Sequence, residues 1–266
     1  MSVLERNNVN VDGPADAPAL VFAHGYGCDQ AMWRYVAPRF TDRYRVVLFD
    51  LVGAGRSDLG AYSVERYGSL AAYAEDVLEI LRALDLRGAT FVGHSVSAMI
   101  GVLAAIAEPD RIGRLVLVGP SPRYIDEDGY RGGFSASEID DLLEAVDSNY
   151  LGWSTVMAPV IMGHPDRPEL GEELKNSFCR TDPAIARHFA SVAFTSDNRA
   201  DLGKVAVPTL VLQCAHDVIA PLEVGAYVHA SIPGSTLRVL AATGHCPNLS
   251  APDETSAAIE AFLRES

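Results

Sequence analysis

The stretch Thr90-Phe-Val-Gly-His-Ser95-Val-Ser-Ala-Met-Ile-Gly101 decides how the rest of this chain is read. Its apolar opening, residues 90–92, has the character of the end of a buried strand. Ser97, Ala98 and Gly101 then open an amphipathic helix that continues through Leu103, Ala104 and Ile106. Between the two stands Gly93-His94-Ser95-Val96-Ser97, close to the G-x-S-x-G pattern of a nucleophile elbow. Such a turn bends a strand sharply into a helix and leaves one hydroxyl exposed at the carboxyl end of a sheet. The residues two before and two after the serine must be small, because strand and helix crowd them. Gly93 fits, and Ser97 places a hydroxymethyl group where the pattern has glycine. The pentapeptide alone also fits a Ser/Gly turn without chemistry, so the flanking elements have to carry the reading.

Upstream, Ala19-Leu-Val-Phe-Ala23 is a continuous apolar run, the mark of a strand covered on both faces, and it ends in His24-Gly25-Tyr26-Gly27. Val9 and Val11 suggest an edge strand closed by Asp12-Gly13-Pro14. Asp29 is placed to cap a helix whose Met32, Tyr35 and Val36 face the core. Residues 45–50 read as a strand, 52–58 as a glycine-rich loop, and Leu70, Tyr73, Val77, Ile80, Leu81 and Leu84 as the buried stripe of a long helix. Downstream, 114–120 reads as another buried strand. The period then changes: residues 122–199 hold helical patterns over 137–146, 150–162, 169–178 and 184–193, broken by Pro165, Pro168 and Pro183. Strands resume at 208–214 and 236–240, separated by a helix over 222–230 and succeeded by one over 252–263. Strands alternating with helices predict an α/β protein with a mostly parallel doubly wound sheet. Residues 1–121 and 200–266 form the core, and 122–199 form an inserted helical lid.

The bulk composition, 48% hydrophobic and 21% charged, is that of a folded globular chain. A net charge of -14 argues against nucleic acid or an anionic membrane surface as partner, since both are met by basic patches. No charged-then-apolar leader precedes the fold and no apolar run reaches membrane-spanning length, so the reading is cytoplasmic. Cys28, Cys179, Cys214 and Cys246 lack any C-x-x-C pair and read as buried thiols in a reducing compartment.

A serine hydroxyl is a weak nucleophile and needs a base, which in turn needs an acid to orient it. Where a nucleophile elbow tops an α/β sheet, those partners come in the order Ser, Asp or Glu, His, each at the carboxyl end of a later strand. Asp217 comes after the strand at 208–214, and His245 after the last strand, in Thr243-Gly244-His245-Cys246. The candidate catalytic set is therefore Ser95, Asp217 and His245. Carbonyl attack also needs two backbone N–H donors. Val96 supplies one at the positive end of its helix, and Tyr26 the other, with Gly25 letting the backbone approach the substrate. A carboxylate nucleophile of the dehalogenase or epoxide hydrolase type is excluded by serine at position 95. Gly53-Ala-Gly55 lacks the third glycine of a dinucleotide fingerprint, and His24, His94, His216 and His245 lack metal-ligand spacing. No metal and no cofactor is expected.

The segments His24-Gly-Tyr-Gly-Cys-Asp-Gln30, Met32-Trp-Arg-Tyr-Val36, Val52-Gly-Ala-Gly55, Val92-Gly-His-Ser-Val96, Ser121-Pro-Arg-Tyr124, Gly132-Gly-Phe134 and Gln213-Cys214 together resemble the α/β-hydrolases that include the bacterial stress regulator RsbQ and the plant karrikin and strigolactone receptors. Gly27-Cys-Asp-Gln30 and Gly244-His-Cys-Pro247 are similar to the RsbQ side, and the elbow at 95–99 to the plant receptors. The resemblance implies that residues 122–199 form a four-helix, V-shaped lid over a mostly apolar pocket. It also implies that Ser95, Asp217 and His245 are the triad, that Tyr26 and Val96 are the oxyanion donors, and that Phe134, Trp153, Met157 and Phe194 line the pocket. Taken alone, Phe134 and Trp153 fit lid-core positions equally well, and Met157 fits an adaptable gap filler. The resemblance leaves two functions open. One is hydrolysis of a small hydrophobic ester or lactone. The other is ligand sensing with slow hydrolysis, in which the lid docks on a signalling partner such as an RsbP-like phosphatase.

Overall fold

The computed structural model describes residues 1–265. Seven strands build one sheet: β1 (Asn10–Asp12), β2 (Ala19–Ala23), β3 (Arg45–Leu48), β4 (Ala89–His94), β5 (Ile112–Val118), β6 (Thr209–His216) and β7 (Thr236–Thr243), in the order β1-β3-β2-β4-β5-β6-β7. All neighbours run parallel except β1, which pairs antiparallel with β3 at the edge and exposes Val11. The helices are α1 (Val3–Arg6), α2 (Leu70–Ala83), α3 (Val96–Ala107), α4 (Ala136–Met162), α5 (Pro168–Phe178), α6 (Pro183–Phe194), α7 (Arg199–Leu202), α8 (Leu222–Ser231), α9 (Pro247–Ser250) and α10 (Pro252–Arg264).

The central strands β2, β4, β5 and β6 are largely apolar because both of their faces are covered. Leu20, Phe22, Val92, Val116, Leu210 and Leu212 pack into one core layer, which includes the faces of α4, α5 and α10. Val21, Val47, Phe91, Leu115, Leu117 and Val211 pack into the other, against α2 and α3. Each fully buried Val, Leu, Ile or Phe contributes about 1.5–3 kcal/mol, so a one-residue register slip would cost more than the fold's net stability. The chain runs from β2 outward to β3 and then returns to start β4 on the other side of β2. The loops leaving β2 and β4 therefore diverge, and the crevice between them is where an open α/β sheet offers a site.

After β2 the chain does not form the α-helix expected from Met32, Tyr35 and Val36. Asp29 does cap, its Oδ1 accepting the Ala31 N–H at 2.9 Å, but the capped segment closes as two short 3-10 turns, Gln30–Trp33 and Ala37–Phe40. The tighter turn buries Trp33 and leaves Tyr35 47% exposed with the Arg34 guanidinium 4.2 Å over its ring. Cys179 is exposed, unlike the buried Cys28, Cys214 and Cys246.

Between β5 and α7, residues 122–199 contain a small turn bridged at Ile125 and Phe134, then α4, α5 and α6. A Ser135/Glu138 capping box starts α4, and Asn149, at φ -155° and ψ 75°, breaks it into two arms. Pro168 and Pro183 stand at the first turns of α5 and α6, where a missing N–H costs nothing. Among the described residues no helix is long and apolar enough to cross a membrane.

Candidate active site

At the end of β4, Ser95 adopts φ 57° and ψ -123°, a conformation that costs a non-glycine residue about 1–3 kcal/mol. Its surroundings enforce it. The Ser95 N–H donates to the Val118 carbonyl at 2.8 Å, and α3 starts at the next residue. Gly93 lies so close under α3 that a Cβ there would stand 2.3 Å from the Ser97 carbonyl oxygen.

His245 arrives from the turn after β7, and its Nε2 is 2.8 Å from Ser95 Oγ. Its Nδ1 is 2.7 Å from Oδ2 of Asp217, which lies just past the irregular end of β6. The other carboxylate oxygen, Oδ1, accepts the Ile219 and Ala220 N–H groups at 2.8 and 3.1 Å. Burial alone would raise the Asp217 carboxyl. The charge and hydrogen bond of His245 and these two N–H donors outweigh it and hold the group below the usual carboxylate range. With an ionised acceptor on Nδ1, the imidazole keeps its Nε2 lone pair toward Ser95. Such a chain can move a proton off the serine hydroxyl and return it to a leaving group.

His94 lies beside this line. Its Nε2 donates to the His245 carbonyl at 2.7 Å, while its Nδ1 is buried without a hydrogen-bond partner among the described residues. Burial, helped by the neighbouring His245, pulls its imidazole down to about 3, so it is neutral at physiological pH. The loop after β2 presses on the elbow from the other side: a Cβ at Gly25 would lie 2.6 Å from His94 Nδ1 and 3.2 Å from Ser95 Cβ. Tyr26 follows Gly25 in that loop and Val96 follows Ser95 as the first residue of α3, so each carries a backbone N–H one residue past the contact. Among the described residues neither of these two backbone N–H groups has a protein acceptor.

A narrow, predominantly apolar cavity lies over Ser95, between the sheet and α4–α6. Trp153, Met157 and Phe194 line it, as do Ser95, Val96, Tyr26 and His245. Phe134 is not on its wall but in the bridged turn with Ile125, and Gly25 lies behind the elbow rather than in the lining. Sequence reasoning passed over Phe178, Ile161, Leu174, Cys28, Cys246 and Tyr124, all of which line the cavity. Of these, Cys28, Cys246 and Tyr124 carried a local signal, since each lies in a segment that the resemblance singles out. Burial pushes the Cys28 thiol to about 12 and raises Cys246 as well, so neither competes with Ser95 as a nucleophile near neutral pH. Tyr124 is also pushed up to about 12 by burial, with the nearby Ser95 hydroxyl pulling the other way. Among the described residues no group of three or more His, Cys, Asp or Glu is arranged to hold a metal ion.

The profile of the Alpha/beta hydrolase family matches residues 20–258. This chain belongs to that family. It is 40% identical over 264 residues to strigolactone esterase D14 of Arabidopsis thaliana, covering 99% of this chain and 97% of the relative. It is 39% identical over 252 residues to the karrikin insensitive 2 receptor CA of Petunia hybrida, covering 94% and 93%. Among solved structures, a hydrolase from Oleispira antarctica superposes with a TM-score of 0.96 at 40% identity, covering 99% of this α/β hydrolase and 97% of that chain.

Proposed function

We propose that this α/β hydrolase cleaves a small hydrophobic ester or lactone by a serine mechanism. The observation that supports it most is the hydrogen-bonded line from Asp217 through His245 to Ser95, ending at the floor of an apolar cavity. His245 takes the Ser95 proton as Oγ attacks the carbonyl carbon. The oxyanion is met by the Val96 and Tyr26 N–H groups, worth several kcal/mol when fixed in a water-poor site. The tetrahedral adduct collapses and expels the alkoxide, which His245 protonates. The acyl group left on Ser95 Oγ is then removed by a water that His245 deprotonates. Trp153, Met157 and Phe194 hold the apolar part of the substrate, and residues 122–199 act as its lid. The scheme uses no metal or cofactor, and the proposed setting is the cytoplasm.

Burst kinetics on p-nitrophenyl acetate and butyrate test this reading. Sustained release lost in Ser95→Ala supports it, and release unchanged in Ser95→Ala overturns it.

A second reading, favoured by the high identity to proteins named as receptors, is ligand sensing with slow deacylation. In that case the lid surface engages a signalling protein, such as the phosphatase implied by the resemblance to RsbQ. One equivalent of release and then a stall marks this case, as do lid-surface substitutions that abolish signalling while sparing hydrolysis.

A further inference from the structure

We infer that the helical insertion positions His245 through the main chain of α4, so that ligand bulk in the cavity is read out as a change in turnover. This rests on the reading of His245 as the base for Ser95.

The last carbonyls of a helix have no partner within it. In α4, Gly163 turns left-handed at φ 65° and closes the helix by donating its N–H to the Pro159 carbonyl at 3.0 Å. The Ile161 carbonyl, left over in that last turn, accepts the backbone N–H of His245 at 2.8 Å. The approach is close enough to require glycine on both sides. A Cβ at Gly244, whose φ is 79°, would lie 2.0 Å from the Met162 carbonyl oxygen, and one at Gly163 would lie 2.9 Å from Gly244 Cα. Thr243 Oγ1 donates to the Gly163 carbonyl at 3.3 Å, and His164 Nε2 is 3.1 Å from the Thr243 carbonyl. The core holds the same turn from the opposite side. The Gly244 N–H donates to His216 O at 2.7 Å, and His94 Nε2 donates to His245 O at 2.7 Å. The peptide that carries the base is therefore strung between the core and the insertion.

The same arm of α4 is a cavity wall. Trp153, Met157 and Ile161, spaced four apart on one helical face, all line the space over Ser95. Ile161 thus lines the cavity over Ser95 and holds His245 with its carbonyl. Packed helices move as bodies rather than deforming continuously. A ligand that fits leaves the tether intact. One that pushes α4 outward lengthens the bond from Ile161 to His245 and swings Nε2 away from Ser95. Oversized ligands then bind without proportionate turnover, and Ile161, Gly163, Thr243 and Gly244 are positioning residues of the reaction.

Two measurements test this. In the first, Gly163→Ala, which forces the two backbones apart, lowers kcat for p-nitrophenyl acetate roughly tenfold or more with KM within about twofold. Val156→Ala, on the exposed side of α4, leaves kcat unchanged. If Gly163→Ala does not fold, Thr243→Val keeps the volume, removes the hydroxyl bond and lowers kcat in the same direction. In the second, amide exchange of His245 is monitored in Ser95→Ala protein. Methyl octanoate accelerates it and methyl acetate does not. A folded tether variant with wild-type kcat, or His245 exchange indifferent to methyl octanoate, overturns the inference. Hydrolysis that persists in Ser95→Ala would instead sink the serine mechanism, and the exchange measurement, which needs no turnover, still decides the tether.

Discussion

The Ser97 hydroxyl donates to the main-chain carbonyl of His24 at 2.5 Å, fully buried between the start of α3 and the loop after β2. Position 97 is where the elbow departs from the G-x-S-x-G pattern, and the departure has a structural use. It ties the helix carrying Val96 to the loop carrying Tyr26, the two proposed oxyanion donors. Ser97→Ala leaves the His24 carbonyl buried and unpaired, which costs about 1–3 kcal/mol. Chemical denaturation should show a lowered midpoint at unchanged slope. Because the two donors lose their mutual brace, kcat should fall more than KM rises.

Gly93 makes the complementary prediction about strain. A methyl group there meets the Ser97 carbonyl oxygen at 2.3 Å, and that oxygen belongs to helix backbone that has no room to yield. Gly93→Ala should therefore flatten or unfold the elbow. Any soluble product should react poorly with a fluorophosphonate probe that labels wild-type Ser95, and near-wild-type labelling would contradict the packing argument.

Much of this arrangement was legible because the strands are short, apolar and regularly interrupted. Where a strand ends, the chain must turn at the carboxyl edge of the sheet, and Ser95, Asp217 and His245 each stand just past such an end. Pairings set by packing across the molecule were not legible. Nothing near Phe178 says that it will meet Tyr26 and Trp153, with ring centroids 6.1 and 5.5 Å away, whereas Phe134 turns into a local bridge with Ile125. The cap at Asp29 marks where a helical turn begins, but not whether it closes as α or 3-10. That choice was made by burial of Trp33 at 0% exposure. The close approach of Gly163 and Gly244 was not legible either, since it joins segments far apart in sequence.

Acid should destabilise the protein in a defined window. His94 has its folded value near 3, against 6.5 for a free imidazole. Between those values the unfolded chain binds a proton that the native state refuses, so stability rises with pH there and is lost on acidification, by about 1.4 kcal/mol per pH unit. Above 6.5 the group contributes no slope. Asp217 acts in the same sense at lower pH: its carboxylate is favoured in the folded state, and that stability is lost as pH falls through its depressed value. Denaturation midpoints measured from pH 7 to 4 should fall steeply in wild type and less steeply in His94→Asn. Parallel curves would remove His94 from the account.

Tyr124 brings a hydroxyl to the cavity wall beside Ser95, among predominantly apolar neighbours. Tyr124→Phe keeps the ring and removes that one polar atom. The expected result is unchanged thermal stability and about a fivefold loss in kcat/KM, the equivalent of one hydrogen bond of about 1 kcal/mol to the reacting ester. A larger loss of stability than of activity would assign the hydroxyl to the fold instead.

Asp217→Asn separates orientation from charge. Asparagine keeps an oxygen where Oδ1 accepts the Ile219 and Ala220 N–H groups, so the loop after β6 should hold its shape. That fixes the amide nitrogen opposite His245 Nδ1, where the carboxylate oxygen now stands at 2.7 Å. Facing a donor, Nδ1 must give up its proton, and the proton moves to Nε2. The imidazole then presents N–H rather than a lone pair to Ser95 and cannot accept the serine proton. By analogy with serine proteases, kcat should fall by about 10⁴-fold, while a non-reactive ester analogue binds as in wild type. Mass spectrometry after mixing with p-nitrophenyl butyrate should show acylation, not deacylation alone, slowed. Rapid, complete acylation in Asp217→Asn would mean that Ser95 is activated without His245 in its present tautomer, and the proposed mechanism would have to be abandoned.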